Sequence, residues 1–299
     1  MEIIFWTSVF ITGYVYLGYP LLLYLLSGLV GSKKVPSPLP SRGGAGGEVG
    51  DGIPFVTLII SAYNEESVIR RKLINALALD YPKDKLEILV VSDCSTDGTD
   101  AIVKSFQGQG VTLLRLDERH GKTYGLNQTV AITRGEVIVF SDANAMYEPD
   151  TIWKLARHFA DEGVGYVVGE SRYMTGDSSA TRNENFYWKY EQFLKRKESD
   201  TGSVVGGDGA LYAIRKVLYE PLGTADINDF VNPLQIIAKG YSGVYEPEAV
   251  CWEETAGTYQ GEFRRKIRIV NRALRGLWQV RQVLNPLKYG TILMEISIP

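Results

Sequence analysis

Three apolar runs constrain this chain more than any other feature. They read "FVTLIISAYNE" from Phe55, "LEILVVSDCSTDGT" from Leu86 and "EVIVFSDANA" from Glu136, and each ends abruptly in hydroxyls, amides and carboxylates. A strand apolar on both faces belongs in a sheet covered on both sides, as parallel sheets are. "VTLLRL" and "VGYVVGE" are weaker runs, and helical patterns fill residues 65–79, 99–106, 124–133 and 149–161. Alternating strands and helices specify an α/β, Rossmann-like domain with a mostly parallel sheet. Ligands of such sheets gather beyond the carboxyl ends of the strands. Asp93, Asp142 and Asn144 stand there. One turn-forming Asp or Asn at a strand end is ordinary turn chemistry; several at one edge point to a site.

The N-terminus is of another kind. "IIFWTSVFITGYVYLGYPLLLYLLSGLVG", from Ile3 to Gly31, carries no charge. A bilayer core takes about 20 apolar residues. The start Met1-Glu2, the length of the run and Pro20 argue against a cleaved signal peptide. The expectation is a transmembrane helix over residues 1–31. Lys33 and Lys34 behind it put the rest in the cytoplasm, a single-pass anchor in the cell membrane. Residues 32–53 are rich in Pro, Gly and Ser and read as a flexible linker; their "GGAGGEVG" neither follows a strand nor opens a helix, so it is not a dinucleotide loop. A catalytic domain is expected over 54–257 and an amphipathic interfacial helix with the C-terminal segment over 258–299. In that helix Phe263, Ile267, Val270, Leu274, Leu277 and Leu284 form one face and Arg264, Arg268, Arg272 and Arg275 another. Such a basic amphipathic helix suits a lipid surface or a solvated face.

A net charge of -3 argues against a nucleic-acid partner. Cys94 and Cys251 have no metal-ligand spacing and read as thiols. Neither His120 nor His158 belongs to a catalytic arrangement, and His158 reads as structural. The chemistry lies in oxygen ligands. Asp142 and Asn144 are spaced to offer two oxygens to a hard cation, Mg²⁺ or Mn²⁺, shared with substrate phosphates. Lys122, between glycines in "HGKTYGLN", suits a diphosphate as a point charge.

Seven segments in order carry a resemblance: "VTLIISAYNEESVI", "VVSDCSTDGT", "GKTYGLN", "FSDANA", "GGDGALYAIRK", "NDFVNPLQIIAKGYSGVYEPEA" and "FRRKIRIVNRALRGL". They cover roughly residues 55–277, and the chain resembles the processive-type, membrane-associated family 2 glycosyltransferases, the group of cellulose, chitin and hyaluronan synthases. The resemblance implies a GT-A type nucleotide-sugar-binding fold. It implies that Ala62, Tyr63, Asn64 and Glu65 line the nucleotide pocket and that Asp93 binds base or ribose. Lys122 then sits by the diphosphate, and Asp142 with Asn144 holds the metal. Asp229 in "NDF" matches the general base. Gly207, Asp208 and Gly209 lie beside the acceptor, with Arg265 and Arg268 on the acceptor and diphosphate side. The implied reaction moves a sugar with inversion from a nucleoside diphosphate sugar, a UDP-sugar, to a saccharide or polyprenyl-linked acceptor. A lipid membrane and a membrane partner subunit are implied as well.

Three departures bear on this. Asn144 replaces a frequent second acid of the metal motif, and Asn228 replaces the acid that commonly precedes the base. "RRKIRIV" has Arg265 and Ile269 where the family's Gln-x-x-Arg-Trp motif has Gln and Trp, which argues against processive polymerisation and leaves single transfer open. Residues 3–30 alone cannot form the export channel that relatives build from further helices. Two rivals stand beside the transferase: a sugar nucleotidyltransferase, and a degenerate nucleotide-binding subunit of a synthase. A bland reading of Asp229 also exists, as a carboxylate opposite a helix macrodipole.

Overall fold

The computed structural model describes residues 2–30, 52–174, 180–254 and 259–284. The three apolar runs become strands β1 (Val56–Ala62), β2 (Leu86–Ser92) and β4 (Val137–Asp142). The remaining strands are β3 (Val111–Arg115), β5 (Met146–Tyr147), β6 (Val164–Met174), β7 (Tyr212–Arg215) and β8 (Ser242–Glu254). They form one sheet in the order β3-β2-β1-β4-β7-β6-β8-β5. The half from β3 to β4 is parallel, with Ile60 opposite Val90 on one side and Ser141 on the other. Beyond β4 the sheet is mixed: β7 runs antiparallel to both β4 and β6, while β6 and β8 are parallel.

Successive residues of β1 face opposite covering layers, which is why the run is apolar throughout. Leu58 and Ile60 pack with Ile69 and Leu73 of α3 (Ile69–Leu77), Val103 of α4 (Thr99–Lys104) and Leu155 of α6 (Thr151–Ala156). Ile59 packs the other way, with Leu126 and Val130 of α5 (Lys122–Ile132) and Ile236 of α8 (Asn228–Ala238). The chain steps outward from β1 to β2 and β3, then α5 returns it across to β4 on the far side of β1. Strand order reverses at the β1/β4 boundary, and that switch point leaves a crevice at the carboxyl ends.

The N-terminal expectation is overturned. Among the described residues no helix is long and apolar enough to cross a membrane. The apolar stretch divides into α1 (Glu2–Gly13) and α2 (Tyr19–Val30), 12 residues each, separated by a π-helical turn over Tyr14–Gly18. Tyr19 and Leu23 of α2 are buried, and α2 packs on α7 (Ala180–Thr201). The single-pass anchor, and the cytoplasmic placement argued from Lys33 and Lys34, therefore lose their footing.

The C-terminal helix is α9 (Tyr259–Gln279). Ile267, Val270 and Leu274 are exposed, whereas Ala273, Val280 and Val283 pack with Phe230, Val231 and Leu234 of α8. The packing seam follows the small residues: an added Cβ on Gly276 would lie 2.6 Å from a Val231 methyl. The side chains of Arg265 and Arg268 lie outside the described residues, as does most of the 32–53 stretch.

Candidate active site

The crevice at the switch point is a cleft of about 560 Å³ lined by the ends of three strands. β1 supplies Ser61 and Ala62, and Tyr63 and Glu65 follow it; Asp93 follows β2, and Asp142, Ala143 and Asn144 end β4. Lys122, the first residue of α5, closes the wall. Six of the residues expected from sequence, Ala62, Tyr63, Glu65, Asp93, Lys122 and Asp142, line one cleft, and Asn144 joins them. Asn64 does not. Its backbone is left-handed (φ 55°) and its amide braces the next loop, accepting from Thr96 N–H at 2.8 Å and donating to Thr96 Oγ1 at 3.2 Å.

Asp93 lines the cleft and also braces it. Its two oxygens accept the backbone N–H groups of His120 and Gly121 at 2.8 and 2.9 Å, fixing the turn that opens α5. Gly121 sits at φ 93°, a conformation a side chain would strain. Arg119 of the same turn lies over the Tyr63 ring, 3.9 Å from its centroid. Sequence reasoning passed over Arg119 because "DERHGK" reads as a solvated charge run.

Lys122 is the pivot. Its Nζ donates to Asp142 Oδ1 at 2.5 Å and approaches the Gly209 carbonyl at 3.5 Å. Burial works against its charge, but Asp142 and Asp229 outweigh it and hold the ammonium above the ordinary lysine pKa. Across from Lys122 stands Asp229, in the first turn of α8. Burial pushes its carboxyl up to about 6, with Asp208 and Asp142 adding to the rise and Lys122 opposing it. Asp229 Oδ1 is buried and has no hydrogen-bond partner among the described residues.

The glycines of "GGDG" let a loop close on Asp229. Gly207 N–H donates to the Asp229 carbonyl at 2.6 Å. Cβ atoms added at Gly207 and Gly209 would lie 2.5 Å from that carbonyl oxygen and 2.7 Å from Asp229 Oδ2. The carbonyl is open because Pro233, four residues on, has no N–H to return to it. Asp208 turns inward on its own loop, accepting from Ala210 N–H at 3.1 Å. Asn228, the departure before Asp229, also has a structural contact: its amide donates to Tyr212 OH at 2.8 Å.

The loop behind Asp142 is held by a group the sequence reading missed. Lys72 of α3 is fully buried, donates to the Ala145 carbonyl, and stands 3.9 Å over the Tyr147 ring. Burial lowers its pKa to about 7. Asn75, one turn on, exchanges two 2.8 Å hydrogen bonds with the Tyr147 backbone. The signal was present: Lys72 falls on the Ile69, Leu73, Ala76 face of an amphipathic helix.

The donor set suits a small hard cation. Asp142 is about a third exposed toward the cleft, Asn144 lines the same wall, and the Lys122 ammonium rests on Asp142 as a positive group. Two protein oxygens leave room for phosphate oxygens and water, the usual arrangement for such ions. Among the described residues no cluster of three or more His, Cys, Asp or Glu forms a closed cage. Cys94 and Cys251 are free, and buried His158 pairs with Glu246 at 2.6 Å, a structural contact as expected.

Glycosyl transferase family 2 matches residues 57–222, more than half of the chain. The chain belongs to that family. It is similar to a probable glycosyltransferase, YdaM, of Bacillus subtilis, 31% identical over 232 residues, covering 72% of this chain and 54% of the relative. It is similar as well to the poly-beta-1,6-N-acetyl-D-glucosamine synthase of Staphylococcus aureus, 26% identical over 225 residues, covering 73% and 54%. The chain thus spans about half the length of the curated relatives it matches. Among solved structures, the mannosyltransferase PcManGT of Pyrobaculum calidifontis, in complex with GDP-Man and Mn²⁺, aligns over 96% of this chain and 80% of its own at 26% identity, TM-score 0.74. TarS of S. aureus with UDP-GlcNAc aligns over 81% and 76% at 16% identity, TM-score 0.53, a likeness of fold. Glycosyl transferase family 2 is the family of the transferase reading and not of the nucleotidyltransferase rival.

Proposed function

We propose that the cleft carries out inverting transfer of a sugar from a UDP-sugar to a hydroxyl of a saccharide or lipid-linked acceptor, with Asp229 as general base. The observation that carries this is Lys122 reaching from Asp142, on the donor wall, toward Asp229 on the acceptor side. A base must hold a free oxygen within reach of the acceptor hydroxyl and have a pKa near working pH. Asp229 meets the second requirement with its pKa of about 6, and its unpartnered Oδ1 suits the first.

The nucleotide would lie against Tyr63 and Asp93, with its diphosphate at the N-terminus of α5, where backbone N–H groups and Lys122 favour anions. Asp142 and Asn144 would hold Mg²⁺ or Mn²⁺. That cation supplies Lewis-acid stabilisation of the charge growing on the leaving diphosphate. Lys122 shares the diphosphate's charge and lowers the base's pKa, so one side chain serves both halves of the reaction. Water would be kept from Asp229 by the Gly207–Gly209 loop.

The UDP-sugar choice is supported by the synthase named for N-acetylglucosamine among the relatives. A GDP-sugar is the second reading, favoured by the 96% coverage by the mannosyltransferase. The test is nucleoside diphosphate release from UDP- and GDP-sugars with Mn²⁺ or Mg²⁺, beside Asp142→Ala and Asp229→Asn. Expected is release from a UDP-sugar, lost with chelator and in both variants. Release from GDP-mannose alone replaces the donor. Nucleotide binding without release, even with saccharide and lipid-linked acceptors supplied, supports the degenerate-subunit rival and rejects the reading.

A further inference from the structure

Two cations have a claim on one oxygen of the cleft. Lys122 Nζ donates to Asp142 Oδ1 at 2.5 Å, with 34% and 37% of the two side chains exposed. Asp142 is also the charged ligand proposed for Mg²⁺ or Mn²⁺, and Asn144 beside it adds an oxygen without charge. The lining has two other carboxylates. Asp93 accepts two backbone N–H groups and lies 4.0 Å from Arg119 Nε. Glu65 is half-buried, and its pKa is raised first by burial and then by Asp142 and Asp97. The carboxylate on the cation's own wall is therefore the one that the ammonium holds.

An ammonium and a dication at one oxygen repel each other at contact distance. We propose that Lys122 competes with the cation for Asp142 and yields to a diphosphate, so that Mn²⁺ or Mg²⁺ is held firmly only together with the nucleoside diphosphate. The proposal rests on Asp142 as cation ligand and on the N-terminus of α5 as the seat of the diphosphate. Lys122 is the first residue of α5, so a diphosphate bound there offers its ammonium another anion within reach. The same phosphate oxygens complete the shell of the cation. Lys122 moves on a flexible four-carbon stem, so the exchange asks no movement of the backbone. Both partners are partly exposed, which limits the competition to a few-fold in affinity.

The experiment reads binding on the full chain at one pH and ionic strength: Mn²⁺ by the electron paramagnetic resonance of the free ion, UDP by calorimetry. In the parent, Mn²⁺ is expected to bind at least about tenfold more tightly with UDP than without it, and UDP to gain the same factor from Mn²⁺. Lys122→Met frees Asp142, so Mn²⁺ alone should bind about fivefold more tightly while UDP alone binds about fivefold more weakly. A variant that only damaged the fold would weaken both. Arg119→Met removes a charge from the same turn, one that lies on Tyr63 and near Asp93, and should leave Mn²⁺ affinity within about twofold. Asp142→Ala should abolish Mn²⁺ binding. Unchanged or weaker Mn²⁺ binding in Lys122→Met, or an equal gain in Arg119→Met, overturns the proposal and leaves the transferase reading standing. Mn²⁺ retained in Asp142→Ala takes the cation away from that residue, and the reading beneath the proposal falls with it.

Discussion

Asp229 destabilises the fold in the form that its chemistry needs. Its carboxyl has a folded pKa of about 6 against an ordinary 3.8, so the folded state prefers the protonated form. The resulting cost is absent below about pH 4, grows as pH rises, and is complete above about pH 6. Asp229→Asn should therefore melt higher than the parent at pH 7.5 and equal to it at pH 4, in calorimetric scans at both values. The same substitution should reduce turnover about 10²- to 10⁴-fold. A base at Asp229 works deprotonated, so kcat/KM should rise through about pH 6. Lys122 is the group that lowers the Asp229 pKa, so Lys122→Met should move that limb to higher pH as well as reduce the rate. A limb that stays in place would remove Lys122 from the base's electrostatics.

At the scale of elements, the decisive feature is α8. Pro233 leaves the Asp229 carbonyl without its helical N–H, and Gly207 takes the place. Pro233→Ala restores a competing donor inside the helix. Alanine favours helix, so the helix should gain while the site loses: kcat should fall at least fivefold with little change in nucleotide affinity, read by steady-state kinetics and titration. The motif "NDFVNP" holds this relation, but only the docked loop reveals its use. Other elements divide in the same way. β1, β2 and β4 were legible because each is a long buried run, and the polar ends of β2 and β4 gave Asp93, Asp142 and Asn144 as one group. β7 is four residues between longer strands and carries no period of its own, so its antiparallel insertion beside β4 was not legible. The seam of α9 on α8 was not legible because Ala273 and Gly276 carry little hydrophobic signal, yet small residues let helices approach closely. The bracing role of Asn64 on Thr96 was not legible, because a polar residue at a strand end looks alike whether it meets ligand or loop.

At the scale of the molecule, the parallel half of the sheet presents the donor cleft and the mixed half presents Asp229 and its glycine loop. The N-terminal stretch was legible as apolar and misread as a span, because composition does not show a π-turn dividing two short helices or Tyr19 buried on α7. Lys122 joins the two halves, and the transfer proposed across it is direct displacement assisted by one base. That claim is tested most directly by the anomer of the sugar first released into water from an α-linked UDP-sugar, or from the GDP-sugar that turns over, followed by proton NMR before mutarotation. The account predicts the inverted anomer, lost in Asp229→Asn. The retained anomer, or inverted product formed at the parent rate by Asp229→Asn, would contradict it.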